Sequence, residues 1–122
     1  MNKDFKIKIT NLKVRTIIGV FEEEKHNPQT LLIDIKIKFD GLKAAQTDNL
    51  KDTIDYFQIS NLIKEKVESS HFQLLEKLVD FVLKIVMNLS LVKEVKVTIH
   101  KPKALESLGA CVSISSKRIA IN

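Results

Sequence analysis

Hydrophobic and polar residues alternate with a period of two in four segments of the chain. This pattern is typical of strands that bury one face of a sheet. The segments are residues 5–18, 31–39, 95–99 and 110–116. In the second segment the apolar side consists of Ile33, Ile35, Ile37 and Phe39. We therefore expect four strands that share one buried face.

Between the second and third strands the hydrophobic period changes to that of a helix. Apolar residues recur at helical spacing over residues 59–67 and again over residues 74–89. Ser69-Ser70 separates the two stretches and is a candidate cap for the second helix or its lead-in, as Asp52-Thr53 is for the first helix. The order ββααββ predicts an α+β fold, a four-stranded antiparallel sheet with two helices on one face.

Length and composition favour a single domain over residues 1–122. The 122 residues and 44% apolar content fit one domain, which commonly has about 100–150 residues. No linker or low-complexity stretch divides the chain. It has one cysteine, Cys111, which we expect to serve packing, and no apolar run of the ~18–20 residues that span a membrane. We expect a soluble cytoplasmic protein.

The net charge of +5 is compatible with a nucleic acid as a partner. However, the positive charges are distributed along the chain, and lysines outnumber arginines by 18 to 2. Arginine is the usual reader of base edges, and aromatic residues, which stack on bases, make up only 6% of the chain. A lysine-rich surface is therefore favoured, and a basic nucleic-acid-binding module stays as an alternative.

Two segments carry candidate acid–base residues. Glu22, Glu23 and Glu24 follow the first strand and a bend or bulge at Gly19, and at most one or two of these carboxylates can enter a site. The alternative is an exposed acidic loop. Tyr56, the only tyrosine, lies at a predicted helix start and could transfer a proton. Its alternative is a structural role in which the ring packs and the hydroxyl finds an acceptor.

Glu76 and Lys101 are candidates for ligand binding and proton transfer. Glu76 adjoins the apolar stripe of the second helix, and its carboxylate could accept two parallel N–H bonds from a flat ring such as a pterin or guanine. A solvated carboxylate is the alternative. Lys101 ends the third strand, which we expect Pro102 to terminate, and a lysine there can reach a cleft and transfer a proton.

Metal and cofactor chemistry finds little support in the sequence. The three histidines, His26, His71 and His100, lack the spacing of a zinc site, and no second cysteine is present. The chain also has no glycine-rich loop that could cradle a phosphate. We expect neither a metal nor a cofactor.

Four motifs, taken together and in order, resemble the dihydroneopterin aldolases. Residues 11–24 with Gln29 resemble the opening of that family, and residues 47–49 with residues 52–56 resemble its pterin loop. Residues 72–76 resemble its ligand-anchoring helix start, and Lys101-Pro102 resembles its lysine motif. The resemblance covers nearly the whole chain.

The same motifs also resemble those of the dihydroneopterin triphosphate 2′-epimerases. Arg15-Thr16, residues 22–24 and residues 74–78 look at least as much like an epimerase. Asp55-Tyr56 and Lys101-Pro102 look more like an aldolase. We expect an aldolase of folate biosynthesis that could also epimerise C2′, with the epimerase as the alternative.

The resemblance implies the tunnelling fold, in which four subunits join their sheets into a barrel and two such rings stack as an octamer. The sites then lie between neighbouring subunits and bind a small pterin, with neither nucleic acid nor a membrane as a partner. The family's glutamate maps best to Glu24, with Glu22 and Glu23 as the other options.

The resemblance also implies roles for the remaining candidates. Glu76 would bind the 2-amino and N3 edge of the pterin. Backbone groups near Leu75 and Ile54 would complete the contacts to the ring. Lys101 and Tyr56 would transfer protons.

Overall fold

A computed structural model describes residues 1–121, and its elements follow the predicted order. The strands are β1 (Asp4–Ile18), β2 (Gln29–Asp40), β3 (His71–Phe72), β4 (Val92–Leu105) and β5 (Ala110–Ile119). The helices are α1 (Glu22–His26), α2 (Leu42–Thr47), α3 (Tyr56–Glu68) and α4 (Leu75–Met87). The α+β prediction is confirmed, with the two-residue β3 as a fifth strand. Asn122, the last residue of the predicted domain, lies outside the described residues.

One sheet with the strand order β3-β1-β2-β4-β5 supports the two long helices. The four long strands are antiparallel, and β3 runs parallel to the end of β1. The side chains of Ile33, Ile35 and Ile37 on β2 are fully buried, as their alternation predicts. They face the core together with helix residues such as Ile63 and Leu78. No helix within residues 1–121 has the length and apolar content needed to cross a bilayer.

A β-bulge in β1 changes which residues face the helices. Ile9 pairs with Ile35, but Leu12 already pairs with Ile33, so the register shifts between them on β1. Asn11 adopts φ +60°, a conformation that asparagine tolerates, and its backbone N–H donates to Asp34 Oδ1 at 2.8 Å. The odd-numbered apolar series that ends at Ile9 therefore passes to an even-numbered series that leads to the buried end of β1.

Both predicted helix caps were wrong. The Asp55 side chain caps α3 by accepting from Gln58 N at 3.0 Å, so the cap lies beyond Asp52-Thr53. Ser69 ends α3 instead of starting α4, which begins after Leu74 without a side-chain cap. Asp55 is preferred because it directly precedes the first residue in helical conformation.

Pro102 does not end its strand, contrary to expectation. The pairing of β4 with β2 stops at His100, but pairing with β5 continues to Leu105 after a bulge. A proline is tolerated there because it lies at a bulge, where β2 no longer pairs with β4. Cys111 on β5 is exposed, so the expected packing role was also wrong.

Candidate active site

A carboxylate and an ammonium meet at the end of the sheet where β4 leaves β2. Lys101 Nζ donates to Glu24 Oε2 at 2.7 Å, although the two residues are 77 positions apart. The Lys101 side chain is 13% exposed and that of Glu24 is 21% exposed. This is a partly buried acid–base pair, and two of the three ammonium N–H groups remain for a ligand.

The Glu24 carboxylate is held from two further sides. Gln29 Nε2 donates to Glu24 Oε2 at 3.3 Å and to the Ile18 carbonyl at 3.0 Å, so Gln29 links the carboxylate to the end of β1. The backbone N–H of Phe21 donates to Glu24 Oε1 at 3.3 Å. Partial burial disfavours the charge on Glu24, but the bonds from Lys101, Phe21 and Gln29 outweigh it and lower the pKa of this carboxyl.

Gly19 makes room for this carboxylate. Its φ is +135°, a conformation that residues with a side chain rarely adopt, and a Cβ built on it would overlap the carboxylate of Glu24. The sequence predicted only a bend or bulge at Gly19. Its second role, leaving space for the Glu24 carboxylate, could not be predicted from the sequence. The only signal there was its position five residues before Glu24.

Only Glu24 of the three consecutive glutamates points into this cluster. Glu22 lies on the exposed side of α1 and pairs with His26 at 3.0 Å. Glu23 is also exposed. The spacing of side chains around one helical turn separates the three carboxylates in this way.

Leu75 and Glu76 start α4 at the same end of the sheet. Phe72 in β3 pairs with Ile18, and its carbonyl accepts from Gly19 N at 3.1 Å, which fixes the chain that leads into α4. Leu75 is half-buried, whereas Glu76 is exposed in the first helical turn. Glu76 lines a groove of about 290 Å³ between α4 and β5.

Ile54 and Tyr56 lie at the opposite end of the molecule. Ile54 is 5% exposed and lines a cavity of about 780 Å³ together with Leu89 and Leu91, which precede β4. Tyr56 is the first residue of α3 and is 64% exposed. The other end of α3 packs on β1, where Thr16 Oγ1 donates to the Val67 carbonyl at 3.0 Å.

The length of α3 separates these two groups of residues. Its 13 residues span about 20 Å at 1.5 Å per residue. Thr16, which contacts the last turn of α3, lies two residues before the end of β1 that holds Gln29. Tyr56 is therefore roughly 20 Å from the Glu24–Lys101 pair of its own chain.

A further cavity of about 410 Å³ adjoins Glu24 and carries two cationic side chains. Arg15 and Lys103 line it together with the carboxylates of Glu23 and Glu24 and with residues 27–30. The Arg15 guanidinium is held in place because it donates to Thr30 Oγ1 at 3.3 Å and to the Pro28 carbonyl at 3.1 Å. This cavity could accept an anionic group next to the acid–base pair.

The fold and this site define the class of the protein. It is an α+β domain with two long helices on an antiparallel sheet and a partly buried acid–base pair at one sheet end. The family model of FolB, dihydroneopterin aldolase, matches residues 7–117. The chain therefore belongs to the dihydroneopterin aldolase family, a family of enzymes, as the four motifs indicated.

Relatives of both activities are similar to this chain. The dihydroneopterin triphosphate 2′-epimerase of Escherichia coli K12 is 37% identical over 99 residues, which are 81% of this chain and 82% of the relative. The dihydroneopterin aldolase of the same strain is 31% identical over 97 residues, 80% of each chain. The crystal structure of Escherichia coli dihydroneopterin aldolase in complex with neopterin has a TM-score of 0.86 and 29% identity, covering 93% of this chain and 98% of that one.

Proposed function

We propose that this protein is a 7,8-dihydroneopterin aldolase, which forms 6-hydroxymethyl-7,8-dihydropterin and glycolaldehyde in folate biosynthesis. The observation that carries the proposal is the Glu24–Lys101 pair in a chain of this family. A positioned acid–base group commonly accelerates such a proton transfer by about 10²–10⁴-fold. The complex of the Escherichia coli aldolase with neopterin supports a pterin as the ligand.

Glu76 is the proposed anchor of the pterin ring. Its carboxylate is exposed at the start of α4, at the same sheet end as Lys101, and has the two acceptors that the 2-amino and N3–H edge requires. Backbone groups near Leu75 would add further contacts to the ring. The reacting side chain of the substrate then extends towards the Glu24–Lys101 pair.

The reaction is a retro-aldol cleavage in which the dihydropterin ring takes up the electrons. A base removes the proton of the 2′-hydroxyl, the C1′–C2′ bond breaks, and C2′ leaves as the aldehyde carbon of glycolaldehyde. The electron pair passes through C1′ into the C6=N5 imine, and Lys101, through water, supplies the proton to N5. Loss of this proton and protonation of C1′ give the product.

The site is proposed to be completed by a second copy of the chain. Tyr56 and Ile54 lie roughly 20 Å away from Lys101, so they cannot serve the same site within one chain. Tyr56 and its neighbour Phe57 are 64% and 73% exposed, and β5 forms a free edge of the sheet. Head-to-tail contacts that close into a ring would bring Tyr56 of one subunit to Lys101 of the next and pair the free edges.

The triphosphate 2′-epimerase is the second candidate function. The cavity next to Glu24 favours it, because Arg15 and Lys103 could bind a phosphorylated side chain of the substrate. The same cleavage would release the phosphorylated glycolaldehyde, and its re-addition to C1′ through the opposite face of the aldehyde would invert C2′. The identities of 37% and 31% to relatives of the two activities are too close to separate them.

A side-by-side assay with 7,8-dihydroneopterin and its triphosphate tests the proposal. We expect release of glycolaldehyde from dihydroneopterin, with the pterin products separated by chromatography. Inversion of the triphosphate without cleavage of dihydroneopterin would assign the epimerase activity instead. Absence of both reactions would overturn the assignment of this site. Replacement of Glu76 by alanine should weaken pterin binding, whereas replacement of the exposed Glu65 on α3 should not.

A further inference from the structure

The face of the sheet opposite the helices carries four lysines in one row across four paired strands. Lys8 on β1 is the direct partner of Lys36 on β2, which in turn faces Lys96 on β4. Lys96 is the direct partner of Lys117 on β5. Each of these lysines alternates with helix-facing neighbours such as Ile35, so all four project from the helix-free face. We call this set the lysine row.

Such a row is unfavourable in the isolated chain. Like charges directly opposite on neighbouring strands destabilise a sheet, and the lysine row contains three such pairs in succession. Within residues 1–121, no carboxylate oxygen lies within 4.0 Å of the ammonium groups of Lys8, Lys36 or Lys96. Lys117 approaches Glu94 at 4.0 Å. The carboxylates nearest to the row are Glu94 beside Lys117 and Asp34, whose pKa is lowered despite its partial burial, in part by the charge of Lys8, so the described residues compensate only part of the positive charge.

The flanking positions add hydrogen-bond donors and two carboxylates, Asp34 on one side of the row and Glu94 on the other, which together carry half the charge of the four lysines. On one side of the row, Asp34, Thr98 and Ser115 form the next register. The Asp34 carboxylate is already engaged, because it accepts from Asn11 N and lies 2.8 Å from His100 Nε2. The hydroxyl groups of Thr98 and Ser115 remain next to the row and can donate to an anion.

We propose that the lysine row is a binding site for a linear oligophosphate of the tripolyphosphate class. The four lysines follow one another at the strand spacing of about 4.8 Å, so the row is about 14 Å long. An extended anion with several closely spaced charges can contact several ammonium groups at once. Binding of this anion would relieve the repulsion between the paired lysines.

The composition of the face favours an oligophosphate over a nucleic acid. The row contains lysine only, and lysine binds phosphate as a point charge without the fork geometry that reads bases. The aromatic residues of the strands, Phe5, Phe39 and Phe72, belong to other positions, where Phe5 and Phe39 pack against each other and Phe72 is buried. The face therefore lacks a platform on which bases could stack.

This site is separate from the Glu24–Lys101 pair. Lys96 and Lys101 are five residues apart on β4, which corresponds to about 17 Å. Lys101 also lies on the same face of β4 as Ile99, the face that packs against the helices. The inference therefore goes beyond the proposed function and does not depend on it. In the proposed ring this face would line the central channel, where each subunit would add its own row.

Titration of the whole protein with sodium tripolyphosphate tests the inference. We compare the wild type with a triple variant that carries Lys8→Gln, Lys36→Gln and Lys96→Gln. A matched control carries Lys51→Gln, Lys66→Gln and Lys77→Gln, which remove the same charge from exposed positions outside the sheet. Calorimetry at 0.15 M salt, where exposed charges interact over only about 8 Å, measures the affinity.

We expect the row variant to bind tripolyphosphate at least about tenfold more weakly than wild type, whereas the control stays within about twofold. Without the anion and at low salt, the row variant should melt at the same or a higher temperature than wild type, which shows that it folds. Equal weakening in both variants, or no saturable binding by wild type, would overturn the inference. Tighter binding of single-stranded DNA of equal charge would assign the face to nucleic acid instead.

Discussion

One part of the candidate site lies at each end of the molecule, and the two parts differ in burial and in hydrogen bonding. At one end, Glu24 and Lys101 are partly buried and joined at 2.7 Å, and Gln29 ties the carboxylate to β1. At the other end, Tyr56 is 64% exposed at the first turn of α3. The first end is organised by the chain itself, whereas the second presents its residue to whatever packs against it. The chain by itself therefore positions the Glu24–Lys101 pair, whereas it leaves Tyr56 exposed.

Replacement of Lys101 by alanine should produce the largest effect. Turnover of dihydroneopterin should fall by about 10²–10⁴-fold, because the proposed proton donor is lost. Glycolaldehyde release measures the activity, and the thermal midpoint reports the fold. Lys103→Ala, two residues along the same strand, serves as the control and should retain most of the aldolase activity. Full activity of the Lys101 variant would refute its assigned role.

Mixed oligomers test whether the two ends of neighbouring chains meet. Lys101→Ala and Tyr56→Phe should each be nearly inactive alone. Co-expressed in equal amounts, they should recover roughly a quarter of wild-type activity, because a quarter of head-to-tail interfaces then combine an intact Lys101 with an intact Tyr56.

The control mixes wild type with a chain that carries both substitutions. A site shared between chains predicts roughly a quarter of wild-type activity, whereas a site within one chain predicts half. Failure of the two single variants to restore activity together, with half activity in the control, would show that the site lies within one chain.

Gly19→Ala should lower turnover by less than Lys101→Ala does, because it displaces the Glu24 carboxylate without removing Lys101. The new Cβ would overlap the Glu24 carboxylate, and the backbone at φ +135° would be strained by about 1–3 kcal/mol. We expect turnover to fall by about tenfold, close to the effect of weakening one positioned hydrogen bond. Gly109→Ala is the matched control, because Gly109 also has positive φ but a Cβ there would meet nothing within 4 Å. Equal activities of the two variants would contradict the proposed role of Gly19.

The fold could be predicted from the sequence because its signals are local. The alternation in β2 and the helical period of residues 59–67 each lie within one element, and both were confirmed. The end of β4 was misjudged at Pro102 because a strand's end depends on its neighbour, and β5 continues to pair there. A proline signal alone does not contain that information.

The site was only partly predictable because its contacts join residues that are far apart in the sequence. Lys101 and Glu24 were chosen as candidates, but their contact joins residues 77 positions apart and follows from the tertiary fold. The lysine row was missed because it depends on register: its members look evenly spread along the chain and align only when four strands pair. The separation of Tyr56 from Lys101 follows likewise from the orientation of α3.

The smallest expected effect is the pH dependence of stability, which reports only on the end of the molecule that holds the Glu24–Lys101 pair. The pKa of Glu24 is lowered in the folded protein, so its ionised form stabilises the fold above the ordinary value of 4.5, and this contribution is lost as the pH falls below it. Glu24→Gln should therefore lower the thermal stability at pH 6 by an amount on the order of 1 kcal/mol, and the difference from wild type should shrink at pH 3. Thermal midpoints between pH 3 and 7 measure this. The same difference at both pH values would mean that the charge of Glu24 does not stabilise this end of the sheet.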